Sequence, residues 1–155
     1  MERTTTYAWE SSSGTTTARL GQAIGRRIDR GMCVSLTGPL GSGKTVLAGG
    51  ICRGLGVGEE ILSPTFVLFE EFDGRLPVVH IDLYRLEHES EIEELGVFDR
   101  IDGVTVILAE WGDRSESLLS RCEVVIELRP GGDTHRTIEL TCTPGTASLF
   151  AGVEL

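Results

Sequence analysis

Asparagine is absent from these 155 residues, glutamine occurs once, at Gln22, and lysine once, at Lys44. Positive charge is therefore left to arginine, and it is scarce: Lys and Arg total 14 against 24 Asp and Glu, a net charge of −10. A surface that grips nucleic acid broadly needs clustered Lys and Arg to displace counterions from phosphates, so this balance excludes one. Cys33, Cys52, Cys122 and Cys142 are scattered without a C-x-x-C pair, which leaves no zinc or redox motif and predicts reduced, buried thiols. Long apolar runs are also missing. Stretches such as Val104 to Ala109 are far too short to cross a bilayer, and the start Met1-Glu2-Arg3-Thr4 has no apolar signal region. A cytoplasmic protein without a membrane partner is expected.

What is present, 40% hydrophobic and 25% charged residues, suits one soluble domain with its own core. The pattern assigns residues 1–144 to that domain and 145–155 to a loose or weakly helical tail. Thr4 to Trp9 reads as a first strand. The Ser/Thr cluster Ser11 to Thr17 offers N-caps for a helix running to about Arg30, with Leu20, Ile24 and Ile28 at four-residue spacing. Met32 to Thr37 reads as a short buried strand, and Val46 to Leu55 has helical spacing. Phe66 to Phe72 and Leu76 to Asp82 flank Asp73-Gly74, a hairpin signal. Glu89 to Leu95 reads as a short helix closed by Gly96, and Val104 to Ala109 as a central strand buried on both faces. Cys122 to Leu128 and Thr134 to Thr143 form a second hairpin around Pro130-Gly131-Gly132-Asp133. The fold class is α/β, a three-layer sandwich with a mixed central sheet.

The lone lysine stands in Gly38-Pro39-Leu40-Gly41-Ser42-Gly43-Lys44-Thr45, which fits the phosphate-loop pattern G-x-x-x-x-G-K-[ST] at every fixed position. Gly38, Gly41 and Gly43 let the backbone turn its N–H groups, including that of Ser42, inward around phosphates. Lys44 then reaches the β and γ oxygens, and the Thr45 hydroxyl ligates Mg²⁺. The loop lies between a strand and a helix whose N-terminus adds donors, so the fold is expected to be P-loop NTPase-like. A Gly-rich turn with no ligand is the bland alternative.

Such a loop needs an acid at a neighbouring strand end. Asp82 and Glu110 both qualify, one to hold Mg²⁺ and the other to position an attacking water. His80, two residues before Asp82, reads as a hydrogen-bonded structural histidine, since no further metal ligands are spaced nearby. Arg85 either meets phosphate charge or makes a surface ion pair, Trp111 reads as packing beside Glu110, and Arg136 either reaches the nucleotide or faces solvent. The acidic stretch Glu87 to Glu94 reads as a solvated helix face. Without asparagine there is no guanine-recognition signature and no protein-kinase catalytic loop, and Gln22 lies in the first helix, away from a water-positioning role. ATP is favoured over GTP.

Taken in order, the phosphate loop, Ser63-Pro64-Thr65-Phe66, His80-Ile81-Asp82-Leu83-Tyr84-Arg85-Leu86, Glu94-Leu95-Gly96 and Glu110-Trp111 resemble the TsaE (YjeE) family across roughly Thr4 to Thr143. The resemblance implies an ATPase of threonylcarbamoyladenosine formation in tRNA. It implies that Lys44 and Thr45 bind ATP phosphates and Mg²⁺, that Glu110 is the second Mg²⁺ ligand and Asp82 the acid of hydrolysis. Thr65 becomes a sensor in a switch segment, Trp111 lies close to the nucleotide, Arg136 touches it, and Ser11 to Thr17 approaches the adenine. Its partners are TsaB and TsaD, with tRNA met only through that complex, which suits the acidic charge. Two residues depart from the family pattern: Pro39 stands where an acid is common, and Gly112 where proline follows Glu-Trp. A small-molecule kinase and a nucleotide-dependent assembly module remain as alternatives. Hydrolysis by the isolated chain is expected to be slow, as no arginine finger is evident in cis.

Overall fold

The computed structural model describes residues 1–61 and 69–155. The strands are β1 (Thr5–Ser11), β2 (Met32–Thr37), β3 (Phe69–Asp73), β4 (Pro77–Asp82), β5 (Val106–Glu110), β6 (Val124–Pro130) and β7 (Arg136–Cys142). The helices are α1 (Gly14–Arg27), α2 (Lys44–Gly54), α3 (Ser90–Glu94), α4 (Glu116–Leu119) and α5 (Pro144–Phe150). One sheet runs in the order β1-β7-β6-β2-β5-β4-β3. Its middle strands β6, β2, β5 and β4 are parallel, and antiparallel partners complete both edges. Helices pack on both faces, so the expected mixed three-layer sandwich is what the chain forms.

The apolar patterning explains the strand order. β5 is buried at every position, as a central strand covered on both faces must be. β6 and β7 instead alternate buried and partly exposed residues, because only the face carrying Ile126, Leu128, Ile138 and Leu140 meets the core under α1 and α5. Two cores result: a large one beneath α1, α2 and α5, and a smaller one built from Ile81, Ile92, Val97, Ile107 and Leu118 on the opposite face.

α1 starts where Ser13 accepts a hydrogen bond from the Thr16 N–H, and it ends earlier than its periodicity suggests, because Ile28 turns to extended backbone. Its packing against α2 rests on glycine. A Cβ on Gly21 would lie 2.5 Å from the Leu47 carbonyl oxygen, and Cβ atoms on Gly25, Gly50 and Gly54 would collide with the carbonyls of Ile51, Ala18 and Gln22. The two backbones therefore touch, each glycine of one helix beneath a carbonyl of the other. At the far end of this pair, the β3–β4 hairpin inserts Arg75, whose guanidinium donates to Gly25 O at 2.9 Å, Ile28 O at 3.2 Å and Gly54 O at 3.3 Å. A cation on the last carbonyls of two helices satisfies acceptors and their dipoles together. Arg75→Ala is expected to lower the unfolding free energy by about 1–2 kcal/mol in urea titration.

The structure narrows two expectations. Of loose or weakly helical, the segment from Pro144 is helical and docked: α5 buries Phe150 and Thr146, and Tyr7 Oη and Trp9 Nε1 donate to Ala147 O and Val153 O at 2.8 and 3.1 Å. Aromatic residues on β1 supply both the apolar surface and the donors that dock it. Nor is the acidic stretch wholly a solvated face. Glu89 reaches across to α4, accepting from Ser115 Oγ at 2.8 Å, Ser117 Oγ at 2.7 Å and Glu116 N at 2.8 Å. These donors, the Ser117 hydroxyl foremost, hold its carboxyl below the usual range. The four cysteines are buried and free as expected, and the Cys33 thiol is pushed well up by its hydrogen bond to Cys122 and by burial. Among the described residues no helix is long and apolar enough to cross a membrane.

Candidate active site

The carboxyl ends of β2, β4 and β5 face one edge of the sheet, and the loop between β2 and α2 lies across it, the usual ligand position in open α/β sheets. Gly38, Gly41 and Gly43 have φ of 145°, 77° and 102°, values that the turn of the loop requires and other residues rarely adopt. At Gly38 a Cβ would also lie 2.5 Å from Leu128 O. Ser42 is fully buried beneath the loop. Lys44 is only 4% exposed, with Nζ donating to Gly38 O at 2.7 Å and Pro39 O at 2.9 Å and reaching Ser42 Oγ at 3.4 Å. Burial pushes its pKa down, opposed by the charges of Glu110, Asp82 and Asp113. Pro39 thus serves through its carbonyl, which accepts from the Lys44 ammonium.

Trp111 closes the other side of the ammonium, its ring centroid 4.0 Å from Nζ. It is the one described non-glycine residue with positive φ, at 59°, held there by its N–H donating to Leu36 O at 2.9 Å. Tyr84 packs against the same ring at 5.1 Å, and Arg114 lies over both. Gly112 follows because the backbone presses on β2: a Cβ there would overlap Ser35 Oγ. The sequence departure at this position therefore accompanies a tight loop seated on Ser35.

The two acids fall as their strands dictate. In the β4–β5 register Asp82 stands opposite Glu110, so both side chains leave the same face at the same edge. Glu110 is 2% exposed, and Thr45 Oγ1 donates to its Oε1 at 2.7 Å. Asp82 is half-buried, and burial pushes its pKa up, opposed chiefly by the Tyr84 N–H donating to Oδ1 at 2.9 Å. Together with Gly41, Ser42, Gly43, Tyr84, Arg85 and Trp111, these groups line an open cleft of about 400 Å³. A second cleft of about 210 Å³ continues past the loop between Ser13, Thr17 and Arg136.

Of the residues singled out in the sequence, the structure brings Lys44, Thr45, Asp82, Glu110 and Trp111 to one cleft, and Thr65 lies outside the described residues. Arg136 spends its donors on the loop itself, to Ser42 O at 3.0 Å and Gly41 O at 3.2 Å, so it braces the backbone beside the smaller cleft. His80 is hydrogen-bonded as expected, but its partner was missed: Nε2 lies 2.6 Å from Glu110 Oε2. The pairing follows from sheet register: His80 stands opposite Leu108, one same-face step before the Asp82–Glu110 pair, so its ring reaches the Glu110 carboxylate.

The donor set suits Mg²⁺. A hydroxyl and a carboxylate are hard oxygen ligands, and Mg²⁺ ordinarily takes one or two carboxylates and completes its shell with water and substrate phosphates. Among the described residues there is no cluster of three or more His, Cys, Asp or Glu that could hold a metal ion.

The family described as Threonylcarbamoyl adenosine biosynthesis protein TsaE matches residues 11–138, a span that holds the loop, both acids and Arg136. The chain belongs to the TsaE family. The TsaE protein of Treponema pallidum is 41% identical over 128 residues, covering 83% of this chain and 95% of its own. That of Bacillus subtilis is 39% identical over 112 residues, covering 72% and 70%. Both carry the name tRNA threonylcarbamoyladenosine biosynthesis protein TsaE. The crystal structure of Bacillus subtilis YdiB superposes with a TM-score of 0.73 at 25% identity, covering 96% of this chain and 93% of the other. TsaE is a family of tRNA threonylcarbamoyladenosine biosynthesis, and its fold is the mixed α/β sandwich described above.

Proposed function

We propose that this chain binds Mg-ATP at the loop of residues 38–45 and hydrolyses it as an accessory to threonylcarbamoyladenosine formation, acting on a TsaB–TsaD complex. The observation that carries the reading is the Thr45–Glu110 oxygen pair at 2.7 Å beside a buried Lys44, with Asp82 opposite Glu110 at the same sheet edge. Lys44 pairs with β and γ oxygens of the nucleotide, and the loop amide N–H groups donate to the remaining phosphate oxygens. Thr45 and Glu110 would hold Mg²⁺, which supplies charge neutralisation at the phosphates. Asp82 orients a water and takes its proton as the water oxygen bonds to the γ phosphorus. The bond from that phosphorus to the bridging oxygen breaks, and ADP leaves with the electron pair. Arg136 keeps the loop open to the phosphates through its hold on Gly41 and Ser42, and Ser13 and Thr17 border the cleft suited to the base.

The partner assignment is supported by charge and exposure. A net charge of −10 disfavours direct contact with tRNA. Leu40, Val46 and Tyr84 are exposed apolar or aromatic residues on the rim of the cleft, where a protein partner would cover them. The deciding experiment measures nucleotide affinity from Trp111 fluorescence and inorganic phosphate release, with and without TsaB and TsaD. Lys44→Ala is expected to weaken ATP binding by about 30-fold or more, the effect of removing one partner of a buried charge pair. Native affinity in that variant, or transfer of phosphate to a metabolite in place of water, would refute the reading.

A further inference from the structure

Glu110 is held from two sides. Thr45 Oγ1 donates to Oε1 at 2.7 Å, and His80 Nε2 donates to Oε2 at 2.6 Å. His80 is fully buried and Glu110 nearly so, which removes competing water and makes each hydrogen bond to the carboxylate count for more. The reach follows from register: β4 and β5 run parallel with His80 opposite Leu108 and Asp82 opposite Glu110, so the ring stands on the same face as the carboxylate it meets.

Packing alone does not account for an imidazole here. Its same-face neighbours, Val78 on β4 and Leu108 opposite it on β5, are fully buried aliphatic residues, and an apolar side chain would fill the position without polar cost. Nδ1 is buried with no partner among the described residues, so the polarity of the ring is directed at Glu110. The charges of Lys44 and Glu110 act on each other across the site, while the Lys44 ammonium itself is bonded to Gly38 O and Pro39 O. Without a donor at Oε2, Glu110 is free to turn away from Thr45, which would take Oε1 out of the pair that faces the cleft.

We propose that His80 is the positioning residue of the metal site: its Nε2–H pins Oε2 so that Oε1 stays beside Thr45 and both oxygens face the cleft as one ligand pair. The proposal rests on the reading of Glu110 as a metal ligand. A buried ligand oriented by an outer hydrogen bond loses about 10–100-fold in metal affinity when that bond is removed.

The test is Mn²⁺ binding, followed by electron paramagnetic resonance, in the presence of a non-hydrolysable ATP analogue whose own metal-free affinity is read from Trp111 fluorescence. Gln can place an amide donor near the Nε2 position, whereas Asn reaches only the Nδ1 position. His80→Gln is therefore expected to keep Mn²⁺ affinity, and His80→Asn and His80→Leu to lose about 10–100-fold, with metal-free analogue binding unchanged in all three. Native Mn²⁺ affinity in His80→Asn, or equal losses in the Gln and Asn variants, would overturn the proposal. Should His80→Leu fail to fold, the Gln and Asn pair still decides. Glu110→Gln separates the two levels: if it binds Mn²⁺ like the native chain, the metal-ligand reading itself fails; if it alone loses the metal, only the role of His80 does.

Discussion

Hydrolysis by the Asp82→Asn variant is expected to fall by roughly 10²–10⁴-fold, the range that a positioned general base contributes, while ATP binds as tightly as before. The amide is a fair isostere because the carboxylate has a structural task as well. Its Oδ1 accepts the Tyr84 N–H, and the turn into Leu83, Tyr84 and Arg85 depends on that acceptor. Asn keeps the acceptor and removes only the basic oxygen. Burial pushes the Asp82 carboxyl up, which makes it a better base than an exposed aspartate, and its position opposite Glu110 directs it to the cleft. Single-turnover phosphate release with the partner proteins present measures the rate, and Trp111 fluorescence measures binding. An unchanged rate would move the base role elsewhere; an equal loss of rate and affinity would make Asp82 a binding residue.

Gly50→Ala is expected to destabilise the fold by about 1–3 kcal/mol, although alanine is the better helix former by roughly 1 kcal/mol. The added methyl would meet the Ala18 carbonyl oxygen and the Gly21 Cα, both backbone atoms that no rotamer change can move aside. α1 would have to lift from α2, and α2 begins at Lys44 and Thr45, so the displacement reaches the site. The neighbouring position provides the contrast. A Cβ on Gly49 meets only Ile61 Cβ, at 3.8 Å, among the described residues, so Gly49→Ala is expected to stabilise by about 0.5–1 kcal/mol. Urea midpoints of the two variants should move in opposite directions. Movement of both toward stability would show that the helices are not in backbone contact.

Much of this site was legible because its chemistry is local. A phosphate loop is a run of eight residues whose glycines and lysine act within one turn of chain, and strand-end acids announce themselves by following buried β-branched runs. Residues that act across the sheet were less visible. His80 reads as an ordinary buried histidine until β4 is laid beside β5, and Arg136 as a choice between ligand and solvent until β7 places it against Gly41 and Ser42. The same holds for stability. Gly21 with Gly25 and Gly50 with Gly54 repeat a four-residue spacing in two helices, a pattern that acquires meaning only when the helices are seen to cross there. The docking of α5 escaped notice because its anchors, Tyr7 and Trp9, lie at the other end of the chain.

By itself, then, the amino-acid sequence determined the fold class, the loop and the identities of its cation, hydroxyl and acids, since these depend on residue type, short spacing and the alternation of apolar side chains. Tertiary structure decided who holds whom: Glu110 between Thr45 and His80, Lys44 beneath Trp111, Arg136 against the loop. Those pairings bring together groups separated by tens of residues, and sheet register and helix contact, set by how the whole core packs, choose among them.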